Sequence, residues 1–392
     1  MEIRKLETEA ERLEATNVLA ASFMHIMEAE KDGEYWAAFE HGAMNAALWA
    51  GRTRRNLDGH SVSCAEMYML GSLPEARERG AASEILKTAL RAARERGDLF
   101  CTLIPFSFAF YRKFGFELAQ INLVQTCAVG QFEGFSDGCA VRRLSSAEDI
   151  PAMKDVYAAF VQRYNLADLR GESDWAYREG GEYGERDWFH RDKQHYTYLF
   201  DDAGGKTRAF VTFVYVADAG NPFIGTLEAV DFAFDGPEAL HSMFAFFYRM
   251  RAKIARVKIT TPPDLDLALL LPECDRVERR LEGHYAARVL NAEAVLRAMR
   301  YPEGRGAFSV RLNDEVLPEN SGTYAVTWEN GRVVSAVRDN GNADLTADIG
   351  AFGQLAAGLS DLREAALRKD VRVNGDCGVL EKVFRRRPFF LR

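Results

Sequence analysis

The sequence is poor in the residues that metals and disulfides need. Six cysteines (Cys64, Cys101, Cys127, Cys139, Cys274 and Cys377) and seven histidines are scattered over 392 residues, with no C-x-x-C pair and no H-E-x-x-H motif. Neither a clustered zinc site nor a disulfide scaffold is expected. The cysteines read as reduced, mostly buried thiols. Long apolar runs are also missing. No stretch approaches the roughly 18 consecutive apolar residues of a membrane span, and the opening MEIRKLETEAERLEA carries charge where a signal peptide has an apolar core. These gaps predict a cytoplasmic protein that meets no membrane. Positive charge is not in excess either. Lys plus Arg is 50 against 58 Asp plus Glu, a net charge of −8. That excludes a general nucleic-acid binder, which needs a basic face to displace counterions.

What is present is a globular balance, 47% hydrophobic and 28% charged, in a chain long enough for two or three domains. Two stretches resemble each other. Ile3-Arg4-Lys5-Leu6 is followed by ETEAERLEATNVLAASF, and Val141-Arg142-Arg143-Leu144 by SSAEDIPAMKDVYAAF. Each reads as a short strand, a polar turn and an amphipathic helix. In the second, Ser145 or Ser146 can cap the helix, and Pro151 fits its first turn. The repeat suggests one structural unit used twice.

After the first copy the pattern predicts a strand over 65–70, then the turn SLPEARERGAA, then a helix. Ala82, Ile85, Leu86, Ala89, Leu90 and Ala93 share one face of that helix, and Gly97 is placed to end it. The apolar run 99–104 reads as a buried parallel strand stopped by Pro105. A second helix starts near Ser107 and carries Tyr111, and Phe114-Gly115-Phe116 opens another strand. The second unit repeats the order, with strands over 207–216 and 227–234, a helix over 237–253 and a strand over 256–260. Its strand-to-helix turn is Asp235-Gly236-Pro237-Glu238, which has no Arg-rich, Gly-rich loop. The last hundred residues change character. Alternating strands are expected over 307–312, 324–328 and 332–336, with Asn330-Gly331 as a hairpin turn. A short strand over 345–349 and helices near 292–299, 351–358 and 378–386 complete an α+β pattern.

The chemistry concentrates in one turn. In Leu73-Pro74-Glu75-Ala76-Arg77-Glu78-Arg79-Gly80-Ala81-Ala82 a strand gives way to a helix. Such a turn leaves backbone N–H groups unpaired at the positive end of a helix dipole, which suits a pyrophosphate. Gly80 and small Ala82 keep the approach open, and Arg77 and Arg79 add positive charge.

This turn, followed by LIPFSFAFYRKFGFELA, resembles the GNAT N-acetyltransferases, and specifically their enhanced intracellular survival (Eis) branch. The resemblance covers the whole chain. LNDEVLPENSGTY, LTADIGAFGQLAAG and the ending RRPFF are the similar segments of its last part. It implies an α/β (α+β) fold: an N-terminal GNAT domain (1–135), a degenerate second GNAT domain (136–285) and a sterol-carrier-like domain (286–392). It implies acetyl-CoA as co-substrate, with no metal. Met69, Leu70 and Gly71 would bond the pantetheine arm, and Arg77, Glu78, Arg79, Gly80, Ala81 and Ala82 would hold the pyrophosphate. Phe106 and Ser107 would lie beside the coenzyme. Tyr111 would protonate the leaving thiolate, and the C-terminal carboxylate of Arg392 would be the base. The resemblance further suggests aminoglycosides, polyamines or lysine side chains as acceptors, and a homohexamer.

A tyrosine hydroxyl, ordinarily near pKa 10, is close enough to the thiol range to donate. An α-carboxyl near 3.5 is a weak base, better suited to attracting a cation and relaying a proton through water. A cationic acceptor would favour an acidic, aromatic cleft. Glu28, Glu30, Asp32, Glu34, Tyr35 and Trp36 form such a cluster in an expected loop, with Glu28, Tyr35 and Trp36 the candidate contacts. The alternative is a non-catalytic scaffold that binds acetyl-CoA or lipid.

Overall fold

The computed structural model describes residues 1–25, 27, 33–178, 180–184, 190 and 192–391. It divides into two compact units. One holds residues 1–120 and 284–387, the other residues 121–283 and the chain from 388 onward.

The first unit opens on β1 (Glu2–Lys5) and α1 (Glu9–Phe23). Thr8 and Glu11 form a capping box that fixes the start of α1. β2 (Glu34–Glu40), β3 (Ala43–Leu57) and β4 (His60–Ser72) then run antiparallel. α2 (Ala81–Glu95) crosses over, and β5 (Phe100–Leu103) returns parallel to β4. α2 buries Ile85, Leu86, Ala89, Leu90 and Ala93 of the expected face, with Ala81 rather than Ala82 at its start. α3 (Phe108–Arg112) and the short β6 (Glu117–Leu118) follow. The sheet has seven strands, and a late segment, Ala286–Val289, sits between β5 and β6.

The second unit begins with β7 (Asn122–Ala128), β8 (Ala140–Arg143) and α4 (Ile150–Val161). Ser146 and Asp149 form the capping box ahead of α4, and Pro151 sits in its first turn. A small ribbon of β9 (Tyr177–Arg178) and β10 (Glu182–Tyr183) precedes β11 (His195–Asp201), β12 (Thr207–Asp218) and β13 (Asn221–Phe234). α5 (Pro237–Arg249), β14 (Ile254–Thr261) and β15 (Glu278–Glu282) complete it. The sheet order is β15-β7-β14-β13-β12-β11-β8. β7 therefore pairs in this sheet, although the sequence reading groups it with residues 1–135. Phe132, Phe160, Phe210, Phe232, Phe244 and Phe247 fill the core. The tail joins that core: Asn165 N donates to Pro388 O at 2.8 Å, Phe390 packs on Phe160 and Tyr164, and Leu391 is fully buried.

The remainder of the first unit starts with that late strand, β16 (Ala286–Val289), and α6 (Ala292–Ala298). Next come β17 (Arg305–Asn313), β18 (Gly322–Glu329), β19 (Arg332–Asp339) and β20 (Leu345–Asp348). α7 (Ile349–Ala357), α8 (Leu362–Ala365), β21 (Val371–Val373) and α9 (Cys377–Val383) end it. The five strands order as β19-β18-β17-β20-β21. Asn330 and Gly331 both have positive φ (48° and 81°), as a type I′ hairpin requires. This part is bound to the first sheet by a buried ion pair, Arg288 on β16 to Asp314, at 2.5 Å.

Cys64, Cys101, Cys127 and Cys139 are buried free thiols, and Cys274 and Cys377 are exposed. Among the described residues, no helix is long and apolar enough to cross a membrane.

Candidate active site

β4 and β5 pair from Cys64 with Phe100 to Met67 with Leu103, and there the pairing stops. β4 continues against β3 for five more residues, to Ser72. Its other edge is then open to a ligand along Met69, Leu70 and Gly71. The strands part at a β-bulge: Trp49 pairs with Met69 and Ala50 with Met67, so Tyr68 is an extra residue. A bulge bends its strand and raises its twist, which turns β4 away from β5. The Tyr68 ring folds back over β3 onto Trp49, with centroids 4.4 Å apart, and onto Gly51, where a Cβ would lie 2.5 Å from the ring. Gly51 is thus glycine for close packing. Gly71 is similar, because a Cβ there would come within 2.5 Å of Ser22 Oγ on α1.

The open edge leads into the Arg/Gly turn. Glu78 and Gly80 both take positive φ (64° and 84°), and a Cβ on Gly80 would meet nothing within 4 Å. The backbone conformation, rather than crowding, calls for glycine here. Gly80 is the N-cap of α2 and provides no side-chain cap, so the first-turn amides of Ala81, Ala82 and Ser83 stay available to an anion. Arg77 donates to Ser22 O at 3.1 Å. Arg79 reaches Glu40 Oε2 at 3.4 Å and Glu75 O at 3.3 Å. Both arginines are exposed at the helix mouth. Glu40 competes with any bound phosphate for Arg79. Glu40→Gln should therefore lower the KM for a phosphate-bearing coenzyme about two- to fivefold, the scale of an exposed ion pair. Steady-state kinetics with that coenzyme varied would check it.

Past the end of β5 the chain presents apolar side chains to solvent. Ile104 is 61% exposed and Phe106 71%, and Tyr68 on the bulge is 45% exposed. Ser107 caps α3, its hydroxyl accepting from Phe110 N at 3.3 Å. Tyr111 on that helix is 5% exposed and ringed by Phe106, Phe110 and Phe116 at 5.1–5.8 Å. Burial, with a smaller effect from Cys101, pushes its pKa up to about 12. Among the described residues, nothing hydrogen-bonds its hydroxyl. A buried phenol with no protein partner is free to donate to a ligand.

The acidic and aromatic cluster is less coherent than the sequence suggested. Tyr35 and Trp36 lie on β2, not in a loop. Consecutive strand residues face opposite sides: Tyr35 is buried in the core under α1, while Trp36 packs on the α2 side. Glu28 and Arg392 fall outside the described residues. The Tyr68 bulge and the exposed Ile104 were missed. Only the pairing register identifies a bulge, and Ile104 looks like the last residue of an apolar strand.

A family model described as an acetyltransferase (GNAT) domain matches residues 2–119, and a second so described matches residues 169–289. The chain belongs to the GNAT acetyltransferases. A sterol carrier protein domain matches residues 292–391. Solved structures with this acetyltransferase's full-length fold include a GCN5-related N-acetyltransferase from Anabaena variabilis (TM-score 0.81, 18% identity, 99% of this chain and 100% of that one). A probable N-acyltransferase from Enterococcus faecalis matches at TM-score 0.83, 18% identity and 99% of each chain. Eis1 from Mycobacterium abscessus matches at 0.81 and 18%, over 99% of this chain and 98% of that one. At such identity the likeness establishes a shared fold. No curated protein sequence matches the chain.

The second GNAT domain also parts its parallel strands, but the turn that follows is built differently. β13 leaves β14 after Ala229 pairs with Ile259 and runs on to Phe234. Its turn into α5 puts Pro237 in the first helical turn, which removes an amide donor, and sets Asp235 and Glu238 beside it. A phosphate would meet carboxylates there. Along the parted stretch, Asp231 is gripped by both Nη atoms of Arg170, at 2.8 and 2.9 Å, and by the Tyr183 hydroxyl. Arg170 in turn stacks on Tyr157 and Trp175.

Proposed function

We propose that this N-acetyltransferase moves the acetyl group of acetyl-CoA onto an amine. The parting of β4 from β5 carries the reading, because it opens a strand edge that runs into an uncapped helix N-terminus. Backbone groups of Met69, Leu70 and Gly71 would hold the pantetheine arm, and residues 77–82 the pyrophosphate. Ile104, Phe106 and Ser107 would border the thioester.

In the reaction the amine nitrogen bonds to the thioester carbonyl carbon, the C–S bond breaks, and sulfur takes up a proton. Tyr111 is the donor in this reading. A pKa of about 12 lies well above a thiol near 8.5. Complete transfer to a free thiolate would be uphill by about 5 kcal/mol, at 1.36 kcal/mol per pK unit. The hydroxyl therefore hydrogen-bonds the sulfur as it leaves and passes its proton late, and the proton shed by the amine replaces it. Positioned transfer of this kind is worth about 10²–10⁴-fold, and holding thioester and amine together supplies much of the rest.

The resemblance to the Eis branch assigns the base role to the carboxylate of Arg392, which would attract a cationic acceptor and relay its proton through water. The chain is anchored up to the preceding residue, where Leu391 O accepts from Asn122 Nδ2 at 2.9 Å. Removing Leu391 and Arg392 should cut kcat at least tenfold and leave coenzyme affinity unchanged. An unaffected truncation would remove the assigned base. The resemblance to the Eis branch points to aminoglycosides, polyamines or lysine side chains as acceptors, and to a cytoplasmic hexamer. A thiol-release assay across those three amine classes tests the reading: turnover with at least one supports it, and binding without turnover on any of them replaces it with a non-catalytic coenzyme scaffold.

A further inference from the structure

We infer that the sterol carrier domain holds a second ligand site, for a phosphorylated small molecule. A cavity of about 710 Å³ lies between the loop after α6 and the end of α9, lined among others by Arg300, Tyr301, Glu303, Glu381, Lys382 and Arg385. The volume is that of a small-molecule pocket, and five of its eight lining residues are charged.

The cations of this cavity stand out from their neighbours. Arg363 is paired with Glu381 at 3.0 Å, Arg386 with Glu364 at 2.5 Å and Arg387 with Asp58 at 2.6 Å. Arg300, Lys382 and Arg385 are exposed. Among the described residues, no carboxylate or carbonyl takes their side chains; Arg300 makes only backbone bonds, to Asp58 and Arg387. Three cations without a carboxylate partner among the described residues thus line one concave surface. The charge of Arg385 is felt nearby. The buried Arg387 has its pKa drawn down, by desolvation first and also by Arg385, against the pull of Asp58. Glu381 is already occupied by Arg363 and does not neutralise the group.

The remaining walls say what kind of anion fits. Tyr301 is a fixed floor: its hydroxyl donates to Leu296 O at 2.6 Å and its ring stacks on Trp328 at 5.5 Å. At 3% exposure it closes the bottom of the cavity rather than projecting into it. Glu303 forms no ion pair among the described residues and would accept from a hydroxyl or ammonium. The combination fits a phosphate monoester or diphosphate on a hydroxylated or amino-bearing body, of sugar-phosphate to nucleotide size. Charge-assisted bonds from arginine to phosphate are the stronger class of hydrogen bond.

The test uses the full-length protein saturated with coenzyme A, which keeps the N-terminal turn out of the measurement. Inorganic pyrophosphate and glucose 6-phosphate are titrated in by calorimetry at low salt. At least one probe should bind once per chain with Kd below about 1 mM, weakening at least tenfold in K382S/R385S. Both substituted side chains are exposed, so an unchanged melting temperature is expected. R305S, which removes an exposed arginine paired with Glu329, should bind as the wild type does. No binding of either probe, or equal affinity in the double variant, would overturn the site.

Discussion

Tyr111→Phe should lower kcat by about 10²–10⁴-fold while the KM for acetyl-CoA stays within about twofold. The reason lies in the surroundings of the hydroxyl. It is nearly buried and, among the described residues, unpartnered, so its removal leaves no donor or acceptor stranded in the protein. The aromatic contacts with Phe106, Phe110 and Phe116 are kept. The variant should therefore melt at the wild-type temperature or slightly above it. The pH dependence sharpens the expectation. Burial raises the folded-state pKa to about 12, so the proton stays in place through pH 10. Any loss of kcat between pH 8 and 10 must then come from another group and should persist in the phenylalanine variant. A large rise in KM with little change in kcat would instead make the residue a binding contact.

Asp314→Asn should be the most damaging single charge change in the first unit. Arg288 and Asp314 are 0% and 1% exposed, joined at 2.5 Å. The carboxylate also accepts from Val316 N, Leu317 N and Asn320 Nδ2, and an amide oxygen can replace part of that. The charge cannot be replaced. Burial already draws the Arg288 pKa down, and Asp314 is the group that opposes it. An uncompensated cation at that depth costs about 3–5 kcal/mol, which is a fall in melting temperature of roughly 10 °C for a unit of this size. Activity should fall too. Arg288 also donates to Phe114 O, three residues beyond Tyr111, so a loosened guanidinium loosens the segment that presents the hydroxyl. Thermal melting and kcat measured on the same preparation check both parts. An unchanged melting temperature would mean that the pair carries no net stabilisation.

Some of this was legible in the sequence because the signals are local. The 3.6-residue period of Ile85, Leu86, Ala89 and Leu90 located α2, and Asn330-Gly331 announced its hairpin. The cap offered at Ser145 or Ser146 is found at Ser146, and Pro151 sits in the first turn of α4 as expected. The Arg/Gly turn stood out because its residue types have few other uses between a strand and a helix. What was hidden depends on pairing partners far along the chain. β2 was missed because its acidic neighbours suggested a loop, whereas pairing with β1 and β3 makes it a strand. The placement of β7 in the second sheet and β16 in the first is set by packing, which no local propensity records. The bulge at Tyr68 is a register shift of one residue, invisible until β3 is laid beside β4. A frayed terminus is the usual expectation, yet Phe389, Phe390 and Leu391 are buried because the tail has an aromatic core to enter.

In the proposed reading one GNAT domain grips the coenzyme through main-chain amides and the other binds none. Calorimetric titration of acetyl-CoA into the full-length protein tests it most directly, with Gly80→Asp as the comparison. One coenzyme per chain is expected, with an affinity at least tenfold weaker in the variant, where a carboxylate and a strained φ replace an open anion site. Two sites per chain, or equal binding by Gly80→Asp, would contradict it.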